Sequence, residues 1–148
     1  MKTLNSDKTL IEVTDYAKKF LEVPYIWGGQ SFLEGMDCSG LLQHLLLYAG
    51  LYDHTDRICK DIKRYLLING GALNHNKKAG CVLFYGPKSG EETHISLAIS
   101  DTEIIESGGA GSNCKTREKA KELNAKVRIK PINHRKDFLY SIQINFKE

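Results

Sequence analysis

Residues 36–48 read Met36-Asp37-Cys38-Ser39-Gly40-Leu41-Leu42-Gln43-His44-Leu45-Leu46-Leu47-Tyr48, with Gly50 shortly after. A cysteine set between Asp and Ser-Gly opens a run that is apolar around most of a helical circumference. Ser39 to Tyr48 is therefore expected to be a helix, stopped by Gly50. A helix this apolar belongs at the centre of its fold. Unpaired N–H groups and the positive end of the helix dipole favour an anion where a helix begins, so Cys38 sits where a thiolate is stabilised. Gly40 leaves the first turn uncluttered, and backbone N–H groups there could hold a developing oxyanion. On position alone, Cys38 has four open roles: nucleophile, metal ligand, half of a disulfide, or small core residue.

The rest of the chain narrows these roles. With 148 residues, 41% hydrophobic and 26% charged, residues 1–148 are expected to form a single soluble domain with a real core. The net charge of +3 is mild, and no basic run is interleaved with aromatics, so no nucleic-acid partner is expected. The opening MKTLNSDKTLIEV lacks an apolar stretch and a cleavage site. No signal peptide and no membrane span are expected. The chain is expected to be made in the cytoplasm, and action outside a cell would require another delivery route. The cysteines are Cys38, Cys59, Cys81 and Cys114. None forms a CxxC pair or a zinc-type cluster with His, so no metal site is expected. Cys59, Cys81 and Cys114 read as small buried hydrophobes.

Asn5-Ser6-Asp7 reads as an N-cap cluster for a helix carrying Leu10, Ile11, Val13, Tyr16, Ala17, Phe20 and Leu21 at helical spacing and ended by Pro24. Residues 24–37 read as a Gly-rich loop and 55–68 as a short amphipathic helix. CVLFY, THISLAIS and TEIIES are β-rich and bounded by Gly, Ser and Asp. A charged helix from Lys115 to Asn124 precedes two more strands, KVRIKPI and DFLYSIQINF. The order implies an α+β fold with the Cys38 helix packed on one face of an antiparallel sheet.

A nucleophilic cysteine needs a base. His44 sits among leucines on the cysteine's own helix; His54, His75 and His134 fall in polar segments. His94 differs: Ile95, Leu97 and Ile99 occupy one strand face, and His94, Ser96, Ala98 and Ser100 the other. The small-residue face is expected to receive the apolar helix. If a three-residue loop centred on Ser100 joins the next strand, His94 lies directly opposite Glu106, whose carboxylate could fix the imidazole tautomer. A two-residue turn at Asp101-Thr102 would turn Glu106 away.

PYIWGG, then DCSG opening an apolar helix, then GCVLFYG, THISLAIS and a polar residue twelve positions past the histidine together resemble the NlpC-type cysteine peptidases, cell-wall hydrolases with a papain-like core. The resemblance runs from about Val13 to Phe146. It implies N-terminal helices on a sheet of about five to six strands, with Cys38 as nucleophile, His94 as base and Glu106 as the third polar residue. It also implies cleft or substrate-binding roles for Tyr25, Trp27, Asp37 and Ser39. The implied partner is the peptidoglycan stem peptide, with no cofactor and no metal. Two departures stand out: Gly80-Cys81 where the family carries Gly-Asp, and HISL for the usual HVGI, which makes Ser96 the small residue. The tail from IESGGAGS onward looks most like phage and prophage members, which implies a route to the wall through virion or tail proteins or through lysis. A catalytically silent assembly component, or an amide hydrolase or deamidase acting on another substrate, is the alternative.

Overall fold

The computed structural model describes residues 3–148; Met1 and Lys2, the start of the segment read for a leader, lie outside that range. An extended segment, Asn5–Thr9 (β1), leads into the helix Leu10–Lys18 (α1). Thr9, not the Asn5-Ser6-Asp7 cluster, caps this helix. Its Oγ1 accepts from the Glu12 N–H at 3.0 Å, and Glu12 Oε2 accepts from the Thr9 N–H at 3.2 Å. This reciprocal box satisfies two donors at once, while Ser6 donates instead to the Ala49 carbonyl. The helix also ends earlier than expected, at Lys18 rather than Pro24, and the chain then turns through Glu22 at φ 75°.

Residues 24–37 contain a small hairpin, Gln30–Ser31 (β2) with Gly35–Met36 (β3). The helix Cys38–Tyr48 (α2) follows and ends before Gly50, whose φ of +80° suits glycine. Leu41, Leu42, Leu45 and Leu46 are buried, each contributing about 1.5–3 kcal/mol through burial. The next helix, Cys59–Ile68 (α3), starts later than position 55. Asp53 holds the intervening turn by accepting from the Thr55 N–H and pairing with both terminal nitrogens of Arg57.

Leu73–Asn74 (β4), Cys81–Tyr85 (β5), His94–Ala98 (β6), Glu103–Gly108 (β7), Lys126–Pro131 (β8) and Phe138–Gln143 (β9) form a six-stranded sheet in the order β4-β9-β5-β6-β7-β8. Every neighbouring pair is antiparallel. The helix Arg117–Leu123 (α4) lies between β7 and β8 in the chain, and Asn145–Lys147 (β10) pairs in parallel with β1. The α+β arrangement of helices on an antiparallel sheet is as the sequence implies.

Two features of the sheet differ from expectation. The leucines of α2 cluster with Val82, Phe84, Ile95, Leu97 and Ile105, whereas Ala98 belongs to a second cluster with Cys81, Leu83, Tyr85 and Ile104. The large-residue face of β6 therefore meets α2, and His94, Ser96 and Ala98 face the other way. There Ser96 leaves room for Tyr85, and their hydroxyls meet at 2.8 Å. The β6–β7 hairpin also takes neither expected register. Leu97 pairs with Ile105 and Ala98 with Ile104, which carries Glu106 across from Ser96. The cause is Ser100, whose Oγ accepts from the Thr102 and Glu103 N–H groups and so fixes a turn over residues 100–102.

Candidate active site

Cys38 is the first residue of α2, and the residues around it lock the helix start in place. The Asp37 carboxylate caps the helix by accepting from the Gly40 N–H at 2.8 Å, and takes the Ser39 hydroxyl at 3.1 Å on the same oxygen. Its other oxygen accepts from the Gly28 N–H at 3.0 Å, which ties the aromatic loop to the helix. A Cβ at position 40 would lie 2.3 Å from the Gly29 carbonyl oxygen, so only glycine permits this approach. From the sheet side, Ser107 donates to the Met36 carbonyl at 2.7 Å. Cys114, read from sequence as packing, grips the same loop: its thiol donates to the Tyr25 carbonyl and its carbonyl accepts from the Trp27 N–H.

His94 and Glu106 are both buried, and His94 Nε2 lies 2.7 Å from Glu106 Oε1. The contact is diagonal across the ladder, within reach of two long side chains. Glu106 Oε2 accepts from Arg128 Nε at 2.9 Å, a partner not anticipated from sequence. A Cβ at Gly108 would crowd Glu106 Oε2 at 2.7 Å. Burial alone would raise the Glu106 pKa, but hydrogen bonding and charge from His94 and Arg128 reverse this and hold it at about 2. Burial would lower the His94 pKa; its interactions with Cys38 and Glu106 raise it to about 9. With Nε2 committed to Glu106, Nδ1 is the nitrogen left for the thiol.

The Cys38 thiol is shifted well below the ordinary thiol range. The largest cause is a hydrogen bond from Cys59; burial opposes it, and His94 adds a hydrogen bond and its charge. The two sulfurs lie 3.7 Å apart. Cys59 is shifted in the opposite direction, first by that hydrogen bond and then by burial, so Cys38 is the more acidic of the two thiols, and its Sγ also lies 3.9 Å from the Thr93 carbonyl oxygen. Cys59 is indeed buried, but it is no mere packing residue. Gln43 of α2 positions it: its amide oxygen accepts from the Arg57 N–H at 3.0 Å, while its amide nitrogen donates to the Arg57 carbonyl and to Asp56.

Tyr25, Trp27, Asp37, Cys38, Ser39 and His94 all line one cleft of about 650 Å³, and Glu106 stands behind His94. Tyr25 is buried, and its hydroxyl is shifted upward first by burial and then by the Cys38 and Asp37 charges. Trp27 is 51% exposed at the rim. Three further charged residues, Asp56, Glu92 and Arg135, line the cleft without any pattern in the sequence that marks them. Glu92 accepts from Tyr140 and from Lys63; Arg135 makes a two-point pair with Asp137. Outside the cleft, His44 contacts the Gln30 carbonyl, and His54, His75 and His134 are exposed. Among the described residues no group of three or more His, Cys, Asp or Glu side chains could hold a metal ion, and no helix is long and apolar enough to cross a membrane.

The sequence profile of the NlpC/P60 family matches residues 22–131, a span that holds every residue of the cleft described above except Arg135. The chain belongs to the NlpC/P60 family. A 43-residue stretch is 44% identical to the gamma-DL-glutamyl hydrolase of Bacillus subtilis (strain 168), covering 28% of this chain and 10% of that protein. Among solved structures, the NlpC/P60 domain of the peptidoglycan hydrolase SagA superposes with a TM-score of 0.65 at 18% identity, covering 92% of this chain and 99% of that one. RipD of Mycobacterium tuberculosis, described as a non-catalytic NlpC/P60 protein adapted to peptidoglycan binding, matches at a TM-score of 0.63 and 18% identity, covering 93% and 98%. At these identities the structural likeness concerns the fold.

Proposed function

We propose that the protein is a cysteine hydrolase of peptidoglycan stem peptides. The observation that carries this reading is that Cys38 and His94 line one cleft and His94 Nε2 lies 2.7 Å from Glu106, with the thiol shifted down and the imidazole shifted up. Such an ion pair supplies a nucleophile and a proton donor together. The Cys38 thiolate attacks the amide carbonyl. The N–H groups of Cys38 and Ser39, which have no intrahelical partner at a helix start, receive the oxyanion; the Gly40 N–H is already taken by Asp37. His94 protonates the leaving amine, then activates water against the thioester. Glu106 keeps the ring oriented and charged. Asp37, Asp56 and Glu92 on one hand and Arg135 on the other give the cleft both signs of charge, which suits a peptide bearing ammonium and carboxylate groups. The likeness to a gamma-DL-glutamyl hydrolase favours a γ-linked glutamyl bond. The phage-like tail supports delivery to the wall within a virion or on lysis.

The test is mass spectrometry of purified muropeptides digested with the wild-type chain and with Cys38→Ala. New fragments are expected only from the wild type, with circular dichroism unchanged in the variant. Undiminished cleavage by Cys38→Ala overturns the mechanism. The second reading, a silent wall-binding or assembly protein, draws on the non-catalytic RipD. It is favoured if neither protein yields fragments and both bind the wall.

A further inference from the structure

The mechanism requires one cysteine, yet the cleft holds two. Cys38 and Cys59 each begin a helix, both line the cleft, and their sulfurs stand 3.7 Å apart with no disulfide between them. A disulfide needs about 2.05 Å, so the sulfurs must close by about 1.7 Å, a movement on the scale of side-chain rotation. The other two thiols are fully buried and engaged elsewhere, Cys81 with Gln143 and Cys114 with the Tyr25 carbonyl. The Gln43 clamp on Arg57 keeps the start of α3 against α2.

We infer that Cys38 and Cys59 form an oxidative modification site, at which a hydroperoxide converts the thiol pair to a reversible disulfide. This inference rests on the reading of Cys38 as a reactive thiolate. In the first step the Cys38 thiolate attacks one peroxide oxygen and the O–O bond breaks. The departing oxygen takes a proton from His94, leaving Cys38 as sulfenic acid and, from hydrogen peroxide, one water. In the second step Cys59 gives up its proton, its sulfur attacks the Cys38 sulfur, the S–O bond breaks and a second water leaves. Two thiols lose two electrons and one peroxide gains them. The order is built into the pair. While Cys38 is a thiolate, its charge and hydrogen bond hold Cys59 protonated and inert. Oxidation of Cys38 removes that charge, and with it the main brake on Cys59. The disulfide blocks the nucleophile but shields it from irreversible sulfinic acid.

The test treats the full chain with hydrogen peroxide, blocks free thiols by alkylation, and maps the peptides by mass spectrometry without reductant. A Cys38–Cys59 linked peptide that disappears with dithiothreitol is the expected result. In Cys59→Ser, Cys38 should accumulate sulfinic acid about tenfold more than in the wild type at equal peroxide. Absence of the linked peptide, linkage of Cys38 to another cysteine, or equal sulfinic acid in both proteins overturns the inference. The readout is the bond itself, so it holds whether or not the protein cleaves wall peptides. Inactivity of the fully reduced protein on muropeptides, with the linked peptide still formed by peroxide, would sink the hydrolase reading and leave this one standing.

Discussion

α2 and α3 begin alike. Each carries a buried cysteine as its first residue, and the two sulfurs almost touch. Their thiols are nevertheless shifted in opposite directions. A shared helix-start position therefore does not decide the outcome. Two neighbours do: His94, which lowers the Cys38 thiol by a hydrogen bond and charge and does not act on Cys59, and Cys38 itself, which raises the Cys59 thiol. The caps differ as well. Asp37 binds the Gly40 N–H and anchors the loop through Gly28. Ile58 makes no side-chain cap and is 59% exposed.

The strongest way to break this asymmetry is to neutralise the group that keeps His94 charged. Glu106→Gln preserves shape while removing the carboxylate, and muropeptide cleavage should fall about a hundredfold or more; an unchanged rate would show that the Glu106 charge is not needed to hold the ring. Raising the pH probes the same link. The pKa of His94 is raised to about 9 from an ordinary 6.5, so cleavage should decline as pH rises through about 9 while Cys38 alkylation by iodoacetamide persists. The contribution of His94 to stability is fully present below 6.5 and is lost as pH climbs through about 9. Glu106, lowered to about 2 from 4.5, behaves oppositely, its contribution being lost as pH falls through about 2. A smaller effect is expected from Cys59→Ala, which removes the donor to the thiolate. The acid-side midpoint for Cys38 alkylation should move to higher pH, and Cys59→Ser, retaining an O–H donor, should move it less. The caps give the smallest change. Asp37→Ala should cost about 1–2 kcal/mol in denaturant unfolding, and Ile58→Ser should add about 0.5–1 kcal/mol by supplying the missing cap.

Much of this was legible in the chain because it rests on short-range pattern. The leucine run defined α2 to within one residue, and the β-rich segments located the main strands. Strand alternation offered His94 and Glu106 as neighbours under one of two hairpin registers, and the family resemblance added Cys38 to the set. The observed register matches neither of the two hairpins considered, and it differs from the three-residue-loop alternative by an even step. An even slip leaves each side chain on its face, so His94 still reaches Glu106 along a diagonal. The assignment of the small-residue face to α2 failed because a leucine-rich helix packs against bulk, and Tyr85 occupies the gap at Ser96. Cys59, Cys114 and Arg128 were unreadable for a different reason. Their importance depends on partners such as Gln43, Tyr25 and Glu106, brought close by folding across loops whose course no local pattern encodes.

The position of β9 has a consequence for the order in which the molecule can form. It lies between β4 and β5 although it is among the last strands in the chain. Until residue 138 is available, one edge of β5 has no partner. That strand, Cys81-Val82-Leu83-Phe84-Tyr85, is uncharged and wholly buried in the finished fold, the composition that invites edge-to-edge association when left open. The β1–β10 pair closes still later, with Asn5 joined to Asn145 across almost the whole chain. During synthesis the helices can collapse early, whereas the sheet is sealed only when the final strands slot into place. The nascent chain therefore has a window of exposure on the ribosome that the completed protein does not share.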